Sequence, residues 1–319
     1  MTNRNRTGKT LLITIGILIG LSSGVLIFNG CFSFRPEEMQ SSPQYSGPVP
    51  PETMFSLISF NTWRLCEPER VPVLVQALMA IGADLDVASE DPILPDIILF
   101  QELECLEATD RLRSLLEPTH WFDTNICALK RSGEPRSVVG IAVSRARFEV
   151  VEEQMIDLGH LFLDHGRCAL SVTVRPHQRQ EDLHLICVHH SPHPLKYIQT
   201  KQMLAQLENL KLLEAERVII GGDFNFTTRS RSYRLLTSVL TDPFSADRGK
   251  THWIGGRIDF FFTSTGITLL RPLDRRSAYE AIKPAGLFRS IYPCPEQDLF
   301  ECPVSDHLPE GGLFTLSKS

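Results

Sequence analysis

The sequence predicts an α/β domain built as a four-layer sandwich, in which two packed mixed β-sheets are flanked by helices. Three observations favour this class. Short apolar runs alternate with helix-like segments throughout residues 54–319. Several of these runs are continuously apolar, as expected for strands that are covered on both faces. The chain has 319 residues, of which 42% are hydrophobic and 22% are charged, so it has enough apolar material for one large core.

Three segments of different composition precede this domain. Residues 1–9 are basic, and residues 10–32 carry no charge and are long enough to cross a bilayer as a helix. Residues 33–53 are rich in proline and serine, which is typical of an extended spacer. The sequence therefore predicts a cytoplasmic tail, a membrane-spanning signal-anchor, a linker and a folded domain.

The charges around the apolar run predict its orientation. Arg4, Arg6 and Lys9 precede the run, and this asymmetry favours a cytoplasmic N-terminus with the folded domain on the extracytoplasmic side. Two alternatives stay open, namely a cleaved signal peptide and a lipoprotein that carries its lipid on Cys31.

The first half of the domain opens with a strand, FSLISFNTW. A helix follows over EPERVPVLVQALMAIG, with Pro72 in its first turn. The acidic, insertion-like segment ADLDVASEDPILP between the first helix and the second strand is predicted to be a surface loop. DIILFQEL is the second strand, and a second helix runs to about Leu116.

The second half begins with strands at VVGIAVS and RFEVVEE, and CALSVTV with LHLICVHHS is predicted to form an antiparallel pair. A helix is predicted from Leu195 to about Glu214, because apolar residues recur at helical spacing. These residues are Ile198, Met203, Leu204, Leu207, Leu210 and Leu213. RVIIGGDFN, GRIDFFFTS and GGLFTLS are the last strands.

The charge balance and the cysteines exclude two classes of protein. A formal net charge of -6 argues against a broadly basic surface that coats nucleic acid, although local clusters such as Arg229, Arg231 and Arg234 could still meet phosphates. None of the eight cysteines forms a CxxC motif, which argues against a structural zinc site.

Four cysteines have predicted environments. Cys168 and Cys187 lie in apolar strands and are expected to be small buried side chains. Cys294 and Cys302 flank a short loop and are the best candidates for a disulfide if the domain is extracytoplasmic.

Polar residues stand where the predicted strands end. Asn61 follows FSLISF, Glu102 follows DIILFQ, His189 follows LHLICV, and Asp223 with Asn225 follows RVIIGG. Strand ends at one edge of a sheet converge on a shared crevice. Asp259 within GRIDFFF and the triplet Ser305-Asp306-His307 complete the set.

The motifs SFNTW, QE, VHH, GGDFN, RIDFFF and SDH stand in an order that resembles the endonuclease/exonuclease/phosphatase superfamily. The resemblance covers residues 54–317 and implies a metal-dependent phosphoesterase. It implies that the aspartate matching Asp259 orients the histidine matching His307. Arg167 in GRCALSV resembles a family arginine near the substrate.

Phosphodiester hydrolysis requires these residue types. A hard cation with oxygen ligands, Mg²⁺ or else Mn²⁺, neutralises phosphate charge, and Glu102, Asn61 and Asp306 are the predicted ligands. Asp223 is the predicted base or aligning group for water. The other predicted catalytic residues are donors to the phosphate or support such donors. They are His189, Asn225, Asp259 and His307, and the predicted substrate-binding residues are Arg167, Asn225 and His189.

The HHSPH segment leaves two alternatives open. Strand register assigns the catalytic role to His189, with His190 as a rival. A zinc site of His189, His190 and His193 is the second alternative, although adjacent residues on a strand point to opposite faces.

The motif set predicts the reaction better than the molecule that is cleaved. A nucleic acid substrate is slightly favoured over a phospholipid such as sphingomyelin. Inositol phosphates rank third, since that subgroup carries a tryptophan-cysteine-aspartate-arginine signature and here Trp253 is followed by IGGRID. A catalytically inactive module that binds a phosphorylated ligand is the alternative from another class, and the sequence indicates no protein partner.

Overall fold

The computed structural model describes residues 53–63, 65–85, 93–129, 133, 135–159, 166–192, 195–247, 249–252, 256–282, 305 and 307–317. The predicted tail, signal-anchor and nearly all of the linker lie outside these residues, as do Cys294 and Cys302. Within the described part of the chain, no helix is both long enough and apolar enough to cross a bilayer.

The strands, in chain order, are β1 (Met54–Asn61), β2 (Ile97–Gln101), β3 (His120–Leu129), β4 (Pro135–Ser144), β5 (Phe148–Asp157), β6 (Cys168–Pro176), β7 (Leu183–His189), β8 (Val218–Asp223), β9 (Asp259–Thr263), β10 (Ile267–Pro272) and β11 (Glu310–Leu316). The α-helices are α1 (Val71–Leu85), α2 (Leu106–Leu116), α3 (Lys196–Asn209), α4 (Arg231–Leu236) and α5 (Arg275–Ile282). Short 3₁₀ turns cover Pro68–Arg70 and Leu212–Glu214.

The strands of the described residues form two mixed sheets. One sheet has six strands in the order β10-β11-β1-β2-β4-β3, and the other has five in the order β5-β6-β7-β8-β9. Strands β1 and β2 are parallel, and so are β7 and β8. The remaining neighbours in both sheets are antiparallel, which confirms the prediction that CALSVTV pairs with LHLICVHHS.

The apolar runs are continuous because both faces of each sheet are covered. In β1, Leu57 faces the other sheet, whereas its neighbour Ile58 faces the helices. Helices α1, α2 and α5 pack on the outer face of the six-stranded sheet, and α3 and α4 pack on the outer face of the five-stranded sheet. The predicted four-layer sandwich is therefore confirmed, and each large apolar side chain buried in it contributes about 1.5–3 kcal/mol.

The paired glycines of GGDFN lie within strand β8 rather than in a turn. A Cβ atom at Gly221 would lie 2.5 Å from the Phe261 ring and 2.7 Å from Leu99, so the close approach of the two sheets requires glycine here. Gly222 has a φ of 143° and faces the Val188 carbonyl, where a Cβ would lie 2.0 Å from the oxygen. Both glycines are needed to bring Asp223 to the sheet edge.

Two predicted elements differ from the structure, and four observed elements have no counterpart in the prediction. The helix predicted from Leu195 to about Glu214 ends at Asn209, because Lys211 adopts a left-handed φ of 58° and the chain continues as a 3₁₀ turn. The loop predicted at ADLDVASEDPILP begins as helix, since α1 runs to Leu85. Strands β3 and β10 and the short helices α4 and α5 were not predicted.

Cys168 is buried, as expected, but it forms a disulfide with Cys127 rather than being a simple apolar side chain. A second disulfide joins Cys66 and Cys105. Cys187 is a buried free cysteine, as expected. Neither of the two disulfide pairings was predicted, because sequence spacing does not determine disulfide connectivity.

Candidate active site

Four of the predicted residues meet at one edge of the sandwich because parallel strands end together. Asn61 ends β1 opposite Gln101, the last residue of β2, and Glu102 follows immediately. His189 ends β7 directly opposite Asp223, which ends β8. Each parallel pair lies in a different sheet, so the crevice is built between the two sheets.

The carboxylate of Asp223 is the centre of this cluster. Its Oδ2 atom accepts hydrogen bonds from the side-chain amides of Asn61 at 3.1 Å and Asn225 at 3.2 Å. The same oxygen lies 3.6 Å from Nε2 of His189 and 3.7 Å from Nε2 of His307. The Oδ1 atom accepts the backbone N–H of Asn225 at 2.8 Å. Four side chains from separate segments therefore face one buried carboxylate.

The electrostatics of Asp223 reflect its surroundings. Burial raises the pKa of the Asp223 carboxyl to about 7, and the negative charges of Asp259 and Glu102 add to this increase. The positive charge of His307 and the hydrogen bond from the Asn225 backbone N–H oppose this increase in pKa. Buried carboxyl groups whose pKa is raised by neighbouring carboxylates are frequent at functional sites.

Asp259 and His307 form the shortest ion pair of the cluster. Nδ1 of His307 lies 2.9 Å from Oδ2 and 3.1 Å from Oδ1 of Asp259. The Nδ1–H group donates to the carboxylate, which directs Nε2 towards Asp223. The backbone N–H groups of Ile258 and Asp259 donate to Oγ1 of Thr251, and Ser305 Oγ accepts the N–H of His307.

The amide of Asn61 has a defined orientation. Its Oδ1 atom accepts the backbone N–H of Trp63 at 2.8 Å, so Nδ2 faces the site and donates to Oε1 of Glu102 at 3.2 Å. Nδ2 is also 3.5 Å from Nε2 of His307. In this arrangement Asn61 presents a donor to the crevice, whereas the predicted role as a metal ligand requires its oxygen.

Arg167 lies against His189, and its predicted place near the substrate stays a prediction. Its Nη1 atom is 2.9 Å from Nδ1 and 3.3 Å from Nε2 of His189, and it donates to Oγ of Ser137 at 3.3 Å. Because a guanidinium only donates, Nδ1 of His189 is the acceptor and the ring proton is on Nε2. Nε2 faces Oε1 of Glu102 at 3.6 Å.

His190 points away from this cluster. Its side chain is fully buried and packs against the rings of Phe224 and Phe226, at centroid distances of 5.2 Å and 6.2 Å. Burial lowers the pKa of His190 to about 3. The adjacent side chains of His189 and His190 therefore point to opposite sides of the chain, so His190 is not in the site and cannot join His189 in a zinc site. His193 lies outside the described residues.

Three non-glycine residues at the site have left-handed backbone conformations. The φ angles are 62° at Glu102, 52° at Asn225 and 43° at Trp63. Such conformations are unfavourable for residues with a Cβ and are frequent at functional sites. Each of these residues comes directly or shortly after a strand end, where the chain turns.

Two overlapping groups of side chains could hold a cation. Glu102, His189 and Asp223 form one, and Asp223, Asp259 and His307 form the other; within each group the candidate ligand atoms lie within 4.8 Å of one another. Glu102 belongs to the predicted ligand set, and its carboxylate is partly exposed, at 15% of its side-chain surface. Asp306 lies outside the described residues, so its predicted place in the set stays a prediction.

Two further residues near the cluster were not predicted. The ring of His252 packs edge-on against His307 at a centroid distance of 4.7 Å. Nζ of Lys196, at the start of α3, donates to the carbonyl of Asn225 at 2.6 Å, and burial lowers its pKa. His252 stands shortly before RIDFFF in the sequence, and that proximity was the only available signal.

Comparisons with known proteins agree with this geometry. The model of the "Endonuclease/Exonuclease/phosphatase family" matches residues 58–307. The search of curated proteins finds no match. Among solved structures, the human Nocturnin catalytic domain with bound sulfate is similar with a TM-score of 0.63 and 16% identity, covering 89% of this chain and 100% of that one.

Two other similar structures belong to proteins named for different activities. ANGEL2, a 2′,3′-cyclic phosphatase in complex with adenosine-2′,3′-vanadate, has a TM-score of 0.58 and 15% identity over 83% of this chain and 96% of that one. A mannosyl-6-phosphatase from Bacteroides thetaiotaomicron has a TM-score of 0.57 and 18% identity over 83% of this chain and 100% of that one. At these identities, the similarity establishes a shared fold.

Proposed function

The chain belongs to the endonuclease/exonuclease/phosphatase family, and on that premise we propose that it is a Mg²⁺-dependent or Mn²⁺-dependent phosphodiester hydrolase that acts on nucleic acid. The observation that carries this proposal is the convergence of Asn61, Asn225, His189 and His307 on the buried carboxylate of Asp223. The fold alone does not assign a reaction, whereas this arrangement of acceptors and donors suits a phosphate ester.

The donor set fits a hard divalent cation. Glu102, Asp223 and Asp259 bring three carboxylates together in a largely buried place, and oxygen ligands are those that Mg²⁺ and Mn²⁺ prefer. Glu102 and Asp306 would hold the ion, joined by Asn61 if its amide turns its oxygen inward. A cation bound there supplies positive charge beside the phosphate oxygens.

The residues of the chain divide the remaining tasks. Asp223 accepts a proton from water or aligns it, with Asn61 and Asn225 holding the carboxylate in place. Asp259 accepts the Nδ1–H of His307 and favours the imidazolium form of the ring, in which Nε2–H can donate to the non-bridging phosphate oxygens. His189 directs its Nε2–H group from the other side, with Arg167 behind it.

The preference for nucleic acid rests on an exposed arginine cluster that follows the strand carrying Asp223. Arg229, Arg231 and Arg234 are exposed and follow β8, and the last two lie on α4. A nucleic acid extends beyond the scissile bond and can contact this cluster through neighbouring phosphates, which a small or lipid head group does not need.

A triple substitution of these arginines by serine tests the substrate assignment. We expect the full chain in detergent to cleave DNA or RNA faster than sphingomyelin or inositol phosphates. The variant should lose several-fold in apparent affinity, and its salt dependence should fall by about 0.7 in slope for each lost contact to a single strand. The control replaces Arg145, Arg175 and Arg179 by serine. This change removes the same charge from the opposite end of the sandwich.

Three outcomes assign another function. Faster cleavage of sphingomyelin identifies a phospholipid phosphodiesterase, and faster release of phosphate from inositol phosphates or from mannose 6-phosphate identifies a phosphatase. Binding of phosphorylated ligands without turnover identifies an inactive binding module. If nuclease activity is unaffected by salt and by the triple substitution, the arginine cluster does not bind substrate.

We further propose that residues 10–32 anchor the protein in a membrane and that the domain faces the extracytoplasmic side. The disulfides Cys66–Cys105 and Cys127–Cys168 support this location, because disulfides persist in oxidising compartments. Protease added to sealed cells should reach the domain. Protection of the domain in sealed cells, together with its digestion after lysis, would contradict this orientation.

A further inference from the structure

Both disulfides of the described residues lie next to the candidate site. Cys66 and Cys105 have Cα atoms 4.9 Å apart, and Cys127 and Cys168 have Cα atoms 5.1 Å apart. Cys66 and Cys105 follow Asn61 and Glu102 within a few residues, and Cys168 directly follows Arg167. This placement points to a role for the bonds in the geometry of the site.

The first bond ties the two loops that carry Asn61 and Glu102. Strands β1 and β2 are parallel and in register, so their loops leave the sandwich side by side. Cys66 lies in the loop after Asn61, and Cys105 precedes helix α2 in the segment after Glu102. The covalent bond therefore closes the gap between the loops just beyond the hydrogen bond that joins Asn61 to Glu102.

Both tied loops contain a left-handed residue that needs support. Glu102 has a φ of 62° and Trp63 has a φ of 43°. Without support, each residue would relax to a more favourable backbone conformation, and the Glu102 carboxylate would move with it. The bond between Cys66 and Cys105 restricts that relaxation.

The second bond joins the two sheets beside Arg167. Cys127 is in β3 of the six-stranded sheet, and Cys168 begins β6 of the five-stranded sheet directly after Arg167. Arg167 also donates to Ser137 on β4. The disulfide and this hydrogen bond both join the start of β6 to the six-stranded sheet, which restrains the Arg167 guanidinium where it contacts His189.

We propose that the two disulfides are positioning elements with separate targets, a conclusion that rests on the proposed metal-dependent phosphodiesterase. Cys66–Cys105 holds Glu102 for the cation, and Cys127–Cys168 holds Arg167 and His189 for the substrate phosphate. If the bonds only stabilised the fold, their removal would lower the stability of the chain. The Mn²⁺ affinity and the KM of the folded protein would not change.

The test compares two double variants of the full chain in detergent, Cys66→Ser with Cys105→Ser, and Cys127→Ser with Cys168→Ser. Mn²⁺ binding is measured from the electron paramagnetic resonance signal of the free ion. The first variant should bind Mn²⁺ about tenfold more weakly, as is typical when residues that support a ligand are lost, with KM unchanged at saturating Mn²⁺. The second should raise KM about tenfold, as loss of a charge-assisted hydrogen bond does, with Mn²⁺ binding unchanged.

Cys187→Ser is the matched control. This buried free cysteine lies on β7, its Sγ donates to the carbonyl of Phe100, and burial raises the pKa of its thiol to about 12. The control should leave Mn²⁺ binding and KM unchanged. Circular dichroism and thermal unfolding establish that each variant is folded.

A double variant that does not fold is replaced by the folded parent protein treated with a water-soluble phosphine, which reduces both disulfides, so Mn²⁺ binding should weaken and KM should rise together and an absence of either change would contradict the inference. Each disulfide then gains two electrons and two protons to become two thiols, while the phosphine takes oxygen from water to become its oxide. If Mn²⁺ binding and KM change together in both variants, or if neither changes, the positioning inference is wrong. A parent protein that neither binds Mn²⁺ nor hydrolyses a phosphodiester contradicts the proposed function instead.

Discussion

Two buried clusters of charged side chains lie close together along the chain but are built differently. In the first, Asp223 is approached by His189 and His307 at 3.6 Å and 3.7 Å. In the second, Arg257 contacts Asp242 at 2.8 Å and 2.9 Å and Glu310 at 2.8 Å. Arg257 stands just before Asp259, and Glu310 just after His307, so the same two segments supply both clusters.

The difference between the clusters indicates a structural role for the Arg257 cluster and a functional role for the Asp223 cluster. The Arg257 cluster is nearly neutral, because Arg275 adds a second guanidinium that contacts Glu310 and Asp247 at 3.0 Å each. Around Asp223, three carboxylates share one nearby arginine, Arg167, and the two histidine contacts of Asp223, at 3.6 Å and 3.7 Å, are longer than a hydrogen bond. Short and matched contacts indicate a group that joins the sheets, whereas long contacts around excess negative charge indicate a place for a cation.

The largest expected effect is on stability, from Arg257→Met. Removing Arg257 leaves the buried Asp242 without its cationic partner and Glu310 with Arg275 alone, which lowers the free energy of unfolding by about 3–5 kcal/mol. Denaturant unfolding measures the change. Arg175→Met is the matched control, because its contact with Asp182 is half-exposed and should contribute at most about 1 kcal/mol. Equal losses in the two variants would contradict the structural role of the Arg257 cluster.

The second largest expected effect is a loss of turnover caused by the substitutions Asp223→Asn and His307→Ala. Each change should lower turnover by roughly 10² or more, since both groups act at the reacting centre. Thermal unfolding should show that both variants remain folded, because neither change disrupts the Arg257 cluster. Either variant with near-parental turnover would remove that residue from the proposed mechanism.

The smallest expected effect is a dependence of stability on pH, at the opposite end of the sandwich. His120 is buried, its Nε2 faces the Pro95 carbonyl at 2.9 Å, and burial lowers its pKa below 6.5. The unfolded chain therefore binds the proton first, and stability present above pH 6.5 is lost as the pH falls through that value, by at most about 1.4 kcal/mol per unit. Unfolding titrations between pH 7 and 5 should show a weaker dependence in His120→Gln, and an unchanged dependence would exclude His120 as its source.

The strand ends of the site could be predicted from the sequence because each polar residue follows an apolar run. Asn61, Glu102, His189 and Asp223 had this signal, and parallel pairing brought them together. The choice of His189 over His190 also followed, since adjacent strand residues face opposite sides. Local pattern was therefore sufficient where regular strands deliver the side chain.

Features that depend on contacts distant in sequence could not be predicted. The disulfide partners Cys66 and Cys105 come together only through the pairing of β1 with β2. His252 reaches His307 through an irregular β-bridge that no apolar pattern indicates. The orientation of the Asn61 amide depends on the backbone N–H of Trp63, whose left-handed conformation has no sequence signal.

Chelation is the most direct test that the carboxylate cluster around Asp223 is a cation site used in hydrolysis. The full chain in detergent is stripped with excess chelator and assayed on a generic phosphodiester, and Mg²⁺ or Mn²⁺ is then added back. The carboxylates of Glu102, Asp223 and Asp259 predict that hydrolysis disappears and that either ion restores it. Glu102→Gln should require a higher concentration of the ion for the same recovery. Full hydrolysis in excess chelator would contradict the metal-dependent mechanism.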